Sequence, residues 1–233
     1  MNFINAYITT ASHEAARTAL ARIAKSVLTP VYASLSSDDR ISGFGREPFK
    51  LSVEMIPAGY LAKRVQKPER FQIDNVVDVF SVSGCINENF ADYIEYWKHN
   101  GYWLFDSPEI IRAVAQENSI QLEGTSLFYY EVYEMEFDGQ NWCPYQVEPS
   151  FQTNVSQPVD KTLAGFDAVT FFAKNAPECS PLSCNGMAKQ IRTNEHCLFA
   201  SFDEAYRNVT DGAFGQAEPG PYRIFAVYSV AWP

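Results

Sequence analysis

The stretch SLFYYEVYEMEF (126–137), followed by Asp138-Gly139 and QNWCPYQV, does most to limit what this chain can fold into. Aromatic and β-branched residues fill the first run, and Asp-Gly is the dipeptide that supplies the positive backbone angles of a tight hairpin turn. A β-hairpin is therefore expected here, and with it an antiparallel sheet. Alternate positions place Leu127, Tyr129, Glu131, Tyr133, Met135 and Phe137 on one face, so Glu131 interrupts an otherwise apolar stripe. A buried glutamate would have a raised pKa and suit general acid–base work. The plainer expectation is that tyrosine hydroxyls or an arginine satisfy it, or that this face is partly exposed.

Further strands and helices alternate along the chain. FINAYIT leads into Ser12, an N-cap for a helix over about 13–28 that ends before Pro30, and 34–50 read as loop. VVDVFSV has the character of a buried strand. NENFADYIEYWKHN behind it places Phe90, Tyr93, Ile94 and Trp97 on one helical face, closed by Gly101. YWLF is a short strand or connector, and Ser107-Pro108-Glu109 opens a helix with Ile110, Ile111 and Val114 inward. After an aperiodic connector over 149–165 come a strand FDAVTFFA, a cysteine-bearing segment, a helix capped by Ser201 with Glu204, and a last strand YRIFAVYSVAW. The expectation is an α+β fold with mixed or antiparallel sheets and flanking helices, divisible into two lobes: residues 1–155, and residues 156–233 containing the cysteine-rich loop. No internal repeat is evident.

The formal charge of −10 is unevenly spread. Residues 1–70 carry ten Lys/Arg against six Asp/Glu, residues 71–158 carry two against fourteen, and residues 159–233 carry six against eight. An acidic middle repels nucleic acid and speeds encounter with a basic partner, while also serving solubility. The N-terminus lacks the pattern of a secretory signal, and no apolar run is long enough to span a bilayer. The expectation is a cytoplasmic protein without nucleic-acid or membrane partners, whose five cysteines are free thiols or metal ligands rather than disulfides.

PECSPLSCNGMAKQIRTNEHCLF (177–199) concentrates Cys179, Cys184, His196 and Cys197. Three thiolates and an imidazole could enclose a tetrahedral zinc, although His196 and Cys197 would point to opposite faces of an extended chain. Cys184 or Cys179 could instead be a nucleophile activated by His196, with Glu131 as a separate acid–base candidate. In the plainest reading the segment is a structural loop fixed by Pro181 and Gly186, and no cofactor is bound. P-loop, dinucleotide, HExxH and GxSxG motifs are absent from the sequence.

FDAVTFF, PECSPLSCNG, NEHCLF and EPGPYRIFAVYSV resemble the C-terminal part of uncharacterised bacterial proteins. NGYWLFDSPEII followed by LFYYEVYEMEFDG is similar to immunity proteins that neutralise toxins of interbacterial competition. The second resemblance implies a protein-binding module whose partner is a basic toxin. The acidic, aromatic middle third offers Glu88, Asp92, Glu95, Tyr96, Trp97, Tyr102 and Trp103 as rim and anchor groups for such a partner. The rival is a cysteine-dependent enzyme or zinc protein centred on Cys179, Cys184, His196 and Cys197.

Overall fold

The computed structural model describes residues 53–65, 73, 75–83, 100–145, 153–171, 178–217 and 219–233. All lie within one compact unit, Leu51–Pro233. The helices expected over 13–28 and 87–100, and the loop at 34–50, fall outside the described residues, apart from Asn100.

Five antiparallel strands form an open sheet: β1 (Met55–Lys63), β2 (Ser126–Phe137), β3 (Trp142–Pro144), β4 (Thr162–Thr170) and β5 (Tyr222–Val230). The order is β1-β2-β5-β4, with β3 on β2. Among the described residues two α-helices accompany it, α1 (Pro108–Glu117) and α2 (Phe202–Thr210). The fold is α+β. A division near residue 155 would separate β2 from β5, yet these two strands are hydrogen-bonded neighbours from Leu127↔Val230 to Phe137↔Tyr222, with one irregularity. The sequence on either side of that boundary therefore builds a single sheet.

The hairpin forms as expected. Asp138 Oδ1 accepts from the main-chain N–H of Gln140 (2.8 Å) and Asn141 (2.7 Å), and Gly139 takes φ 101°, so side chain and glycine together close the turn. Both helices start where a serine caps them: Ser107 accepts from the N–H of Ile110, and Ser201 from that of Glu204. Glu204 returns its carboxylate to the N–H of Ala200 rather than to Ser201 itself. α1 buries Ile111 and Ala115 outright, with Ile110 and Val114 packed at the margin of the core.

Two sequence expectations change. VVDVFSV is not a sheet strand. Its main chain instead clasps a loop, Val77 N donating to Glu195 O (2.8 Å) and Phe80 N to His196 O (3.2 Å). Its apolar character reflects burial of Val76, Val79 and Val82 rather than pairing in the sheet. β4 begins at Thr162, inside the stretch read as connector, because its first residues run along the exposed edge and lack an apolar pattern.

Beyond these two, the expected absence of a repeat is overturned: the unit is internally duplicated, and the two halves are β1-α1-β2 and β4-α2-β5. Ala58-Gly59-Tyr60 in β1 matches Ala164-Gly165-Phe166 in β4, and Asn100…Leu104-Phe105…Ser107 matches Asn194…Leu198-Phe199…Ser201. Asn100 Nδ2 donates to Ala58 O (2.9 Å) while its Oδ1 accepts from Tyr102 N and Leu104 N. Asn194 repeats this with Ala164 O (2.7 Å), His196 N and Leu198 N. Tyr60 exchanges main-chain bonds with Phe105, as Phe166 does with Phe199. Trp103 and Cys197, at matching positions, both take φ 59°.

The glycines explain themselves. Gly59 (φ 138°) and Gly165 (φ 149°) each mark an irregularity in the ladder, and a Cβ on either would lie 2.7 Å from the carbonyl oxygen of Phe105 or Phe199. Gly59 pairs with Tyr130 and Gly165 with Val227, and Tyr130 faces Val227 across β2 and β5. The pseudo-twofold relation therefore passes between Tyr130 and Val227. It relates Glu131 to Tyr228.

Candidate functional site

A row of three tyrosines crosses the sheet. Tyr60, Tyr129 and Tyr228 occupy facing register positions on β1, β2 and β5, with ring centroids 5.0 Å and 5.9 Å apart. Because residues of the same parity share a face, Glu131 on β2 lies beside them, next to the dyad. Tyr228 donates its hydroxyl to Glu131 Oε2 (2.8 Å), and the Lys161 ammonium pairs with Glu131 Oε1. Lys161 Nζ also stands 4.2 Å from the Tyr228 ring centroid and 5.1 Å from that of Tyr129. Glu131 is thus satisfied by a tyrosine hydroxyl, the plainer of the two expectations, but by a lysine rather than an arginine.

Burial governs the phenols. It pushes Tyr129 and Tyr228 up from their ordinary value, and the Glu131 carboxylate adds to the rise in both. The Tyr129 hydroxyl is buried, with the Glu131 carboxylate as its polar neighbour. Lys161 belongs to a strap, residues 153–161, that is tied to the start of α1. Asp106 accepts from Asn154 N through its carboxylate and from Ser156 N through its main-chain oxygen, while the Tyr60 hydroxyl donates to Ser156 O (2.6 Å).

A second polar cluster lies inside the core. Asp167 on β4 is fully buried and accepts from Ser81 Oγ (2.5 Å), Ser180 Oγ (2.7 Å) and Val82 N (3.0 Å). Lys63 on β1, also buried, donates to Ser81 O (2.5 Å) and Ser83 O (2.9 Å). Burial raises the pKa of Asp167, opposed by its three hydrogen bonds and by the Lys63 charge. A buried carboxylate and ammonium, one from each half, therefore hold the 75–83 segment and the cysteine loop between them.

The cysteine segment is a loop wrapped on this cluster. Cys184 Sγ lies 3.4 Å from Ser83 Oγ, Cys179 N donates to Thr170 Oγ1, and Gly186 takes φ 67°. Cys197 is buried at the left-handed position of its corner, and desolvation pushes its thiol up to about 12. His196 turns the other way. Its ring stacks on Phe80 at 4.1 Å, and Nδ1 lies 3.2 Å from Asp78 Oδ1. Imidazole and Cys197 thiol do diverge, through a tight turn rather than the alternation of an extended chain. Among the described residues no group of three or more His, Cys, Asp or Glu side chains is gathered as a metal ion requires, and Cys143 and Cys197 carry free thiols. Glu131, the separate acid–base candidate, sits with Lys161 and Tyr228.

Of the binding candidates, Glu88, Asp92, Glu95, Tyr96 and Trp97 lie outside the described residues. Tyr102 is a core residue, 5% exposed and packed on Tyr145, because the Asn100 corner turns it inward, and Trp103 is half-buried. Sequence reasoning passed over Arg223, which is 2% exposed, clasped by Glu136 Oε2 through Nε (3.1 Å) and Nη2 (2.9 Å), and held between the rings of Tyr145 and Phe171. Its one signal was an arginine inside an apolar strand, a signal shared by Lys63 and Asp167. Lys161 carried none, since its partners are distant in sequence. No helix among the described residues is long and apolar enough to cross a membrane. No family model, no curated protein and no solved structure matches the chain.

Proposed function

We propose that this chain is a cytoplasmic protein-binding module that captures a basic partner through an acidic surface, in the manner of immunity proteins that neutralise toxins. The observation that carries the reading is the way the fold sorts its charges. Glu109, Glu117, Glu123, Glu134 and Asp138 are exposed, whereas Lys63 and Arg223 are buried. Arg64 turns its guanidinium onto the main-chain oxygens of Gln121 and Glu123, and Arg112 onto that of Pro233 with its charge over Trp232. With Lys63 and Arg223 withdrawn, the surface around α1 and the hairpin turn is acidic, which favours fast encounter with a cationic protein there. The Ser107 hydroxyl also holds the Glu109 carboxyl below its ordinary value, keeping it charged.

The rival centred on the cysteines needs an imidazole poised at a thiol, and His196 is engaged by Asp78 and Phe80 instead. The test is to express the products of neighbouring reading frames with this chain and follow association kinetics. A basic product should bind with an on-rate that falls steeply from low to physiological salt. It should fall by about tenfold or more when Glu109, Glu117 and Glu123 are replaced by Lys. An on-rate indifferent to both changes would sink the proposal.

A further inference from the structure

The corner of the second half carries a group that the first half lacks. His196 stands where the first half has Tyr102: Asn194 Oδ1 accepts from His196 N as Asn100 Oδ1 accepts from Tyr102 N. Burial pushes the Tyr102 phenol up, so it stays neutral at ordinary pH. Histidine is the side chain whose charge ordinarily changes near neutrality, at about pH 6.5.

Both ring nitrogens of His196 face a carboxylate. Nδ1 lies 3.2 Å from Asp78 Oδ1, and Nε2 lies 3.7 Å from Glu195 Oε1. A neutral imidazole has one N–H and one lone pair, so it must set the lone pair against one of these anions. Only the imidazolium presents a donor to each. The plane of the ring is fixed, since it lies 4.1 Å from Phe80 and within 6° of parallel, and Phe80 packs edge-on against Phe128 of β2. Among the described residues Asp78 and Glu195 are the charged groups that face the ring, and no lysine or arginine pairs with either. The same residues hold the main chain: Val77 N and Asp78 N donate to Glu195 O (2.8 Å and 3.3 Å), and Phe80 N to His196 O (3.2 Å). Residues 75–83 arrive from the first half and the corner belongs to the second, so the imidazole sits on a seam where one half grips the other.

We propose that His196 is a proton-operated clasp: as imidazolium it fastens residues 77–80 to the corner at 195–196, and on losing its proton it loosens them. The charged ring completes both ion pairs, so the clasp is tightest below about pH 6.5 and relaxes as the pH rises above it. Asp78, 18% exposed, is the stronger arm, whereas Glu195 is 68% exposed and adds less. A neutral ring still donates to Asp78 through Nδ1–H, at about half the strength of the charge-assisted bond. The main-chain bonds persist, so the change is a graded loosening of one segment and not an unfolding. The inference goes beyond the acidic-surface reading and does not depend on it, since none of Glu109, Glu117 or Glu123 takes part.

Amide hydrogen exchange of the full chain, followed residue by residue from about pH 5.5 to 8.5 and corrected for the intrinsic rate at each pH, reads the clasp directly. Protection of Val77, Asp78 and Phe80 should fall by about three- to tenfold across that range, while that of Tyr130 and Val227 at the dyad stays level. His196→Gln should hold the three amides at their loosened, high-pH protection throughout. Asp78→Asn should flatten the profile in the same way. Glu195→Gln, at an exposed position where the fold is not at stake, should shrink the slope without removing it.

A wild-type profile that stays flat over this range would overturn the proposal. So would an equal slope in His196→Gln, which would hand the effect to another group. A fall in protection at Tyr130 and Val227 as large as that at Phe80 would overturn it as well, because the whole fold would then be loosening and not one clasp. Replacing Glu109, Glu117 and Glu123 by Lys should leave the profile unchanged, so failure here and failure of the acidic-surface reading are told apart.

Discussion

The half β1-α1-β2 and the half β4-α2-β5 share a corner and differ in what they bury around it. In each, an asparagine ties strand to loop, a glycine yields to the crossing main chain, and a serine starts the helix. Inside that frame the first half buries a cation, Lys63, where its counterpart has Val169, and the second buries an anion, Asp167, where the first has Leu61. At the dyad, Glu131 of the first half meets Tyr228 of the second. Backbone geometry is repeated while chemistry is divided: Asp167 of the second half accepts from Ser81 and Val82 of the first, and Glu131 of the first accepts from Tyr228 of the second.

That division can be broken in several places. The largest expected effect is alkaline loss of the fold. Burial raises the phenols of Tyr129 and Tyr130 in the first half, and that of Tyr228 and the thiol of Cys197 in the second. Unfolded tyrosine ionises near 10.0. The fold favours the neutral forms, so the contribution of the thiol is complete below about pH 9 and that of the phenols below about pH 10, and both are lost as pH rises through the higher folded values. Tyrosinate absorbance and circular dichroism should change together. Ionisation of these phenols in a chain that stays folded would contradict the assignment.

Next comes the buried pair. Asp167→Ala should cost about 3–5 kcal/mol in urea unfolding, since it leaves Ser81, Ser180 and the Val82 N–H without their buried acceptor, and its cost combined with Lys63→Met should differ from the sum of the two single changes because the charges interact. A cost under about 1 kcal/mol would show that the halves are not coupled through this cluster. Gly59→Ala and Gly165→Ala should each cost about 2–4 kcal/mol, from a strained positive φ and a clash with the crossing carbonyl. Because the two sites match, so should the losses, and a large inequality would break the equivalence of the corners. The asparagines should sharpen it instead. Asn100→Ala should cost about 2–3 kcal/mol and Asn194→Ala about 1–2 kcal/mol. Asn100 is fully buried and also donates to Asp106 (2.8 Å), whereas Asn194 is only half-buried.

Local signals were readable in the sequence where the physics is local. The Asp138-Gly139 hairpin, the serine caps and the last strand were all visible, because turn chemistry, capping and apolar runs act over a few residues. The duplication was not. Its markers are an Ala-Gly-aromatic triplet and an Asn…Leu-Phe…Ser string separated by different distances in the two halves, and side-chain identity has drifted everywhere the corner does not require it. The same holds at the site. Glu131 stood out as a break in the Leu127–Phe137 stripe, but Lys161 and Tyr228, thirty and ninety-seven positions further along the chain, are brought to it only by the order β1-β2-β5-β4. VVDVFSV misled because burial and sheet pairing select the same residue types, and an apolar run does not say which of the two it serves.

The dyad between Tyr130 and Val227 sets a limit on ancestry. Two identical copies of such a half, associated as separate chains about the same axis, would place like groups at the position of Glu131 and Tyr228: two acids, which repel, or two phenols, which carry no charge. An acid beside a phenol requires that the two sides of the axis be encoded separately. Joining the copies into one chain is what makes that possible, because each side is then free to mutate without its mate, and asymmetric recognition becomes available to a symmetric scaffold.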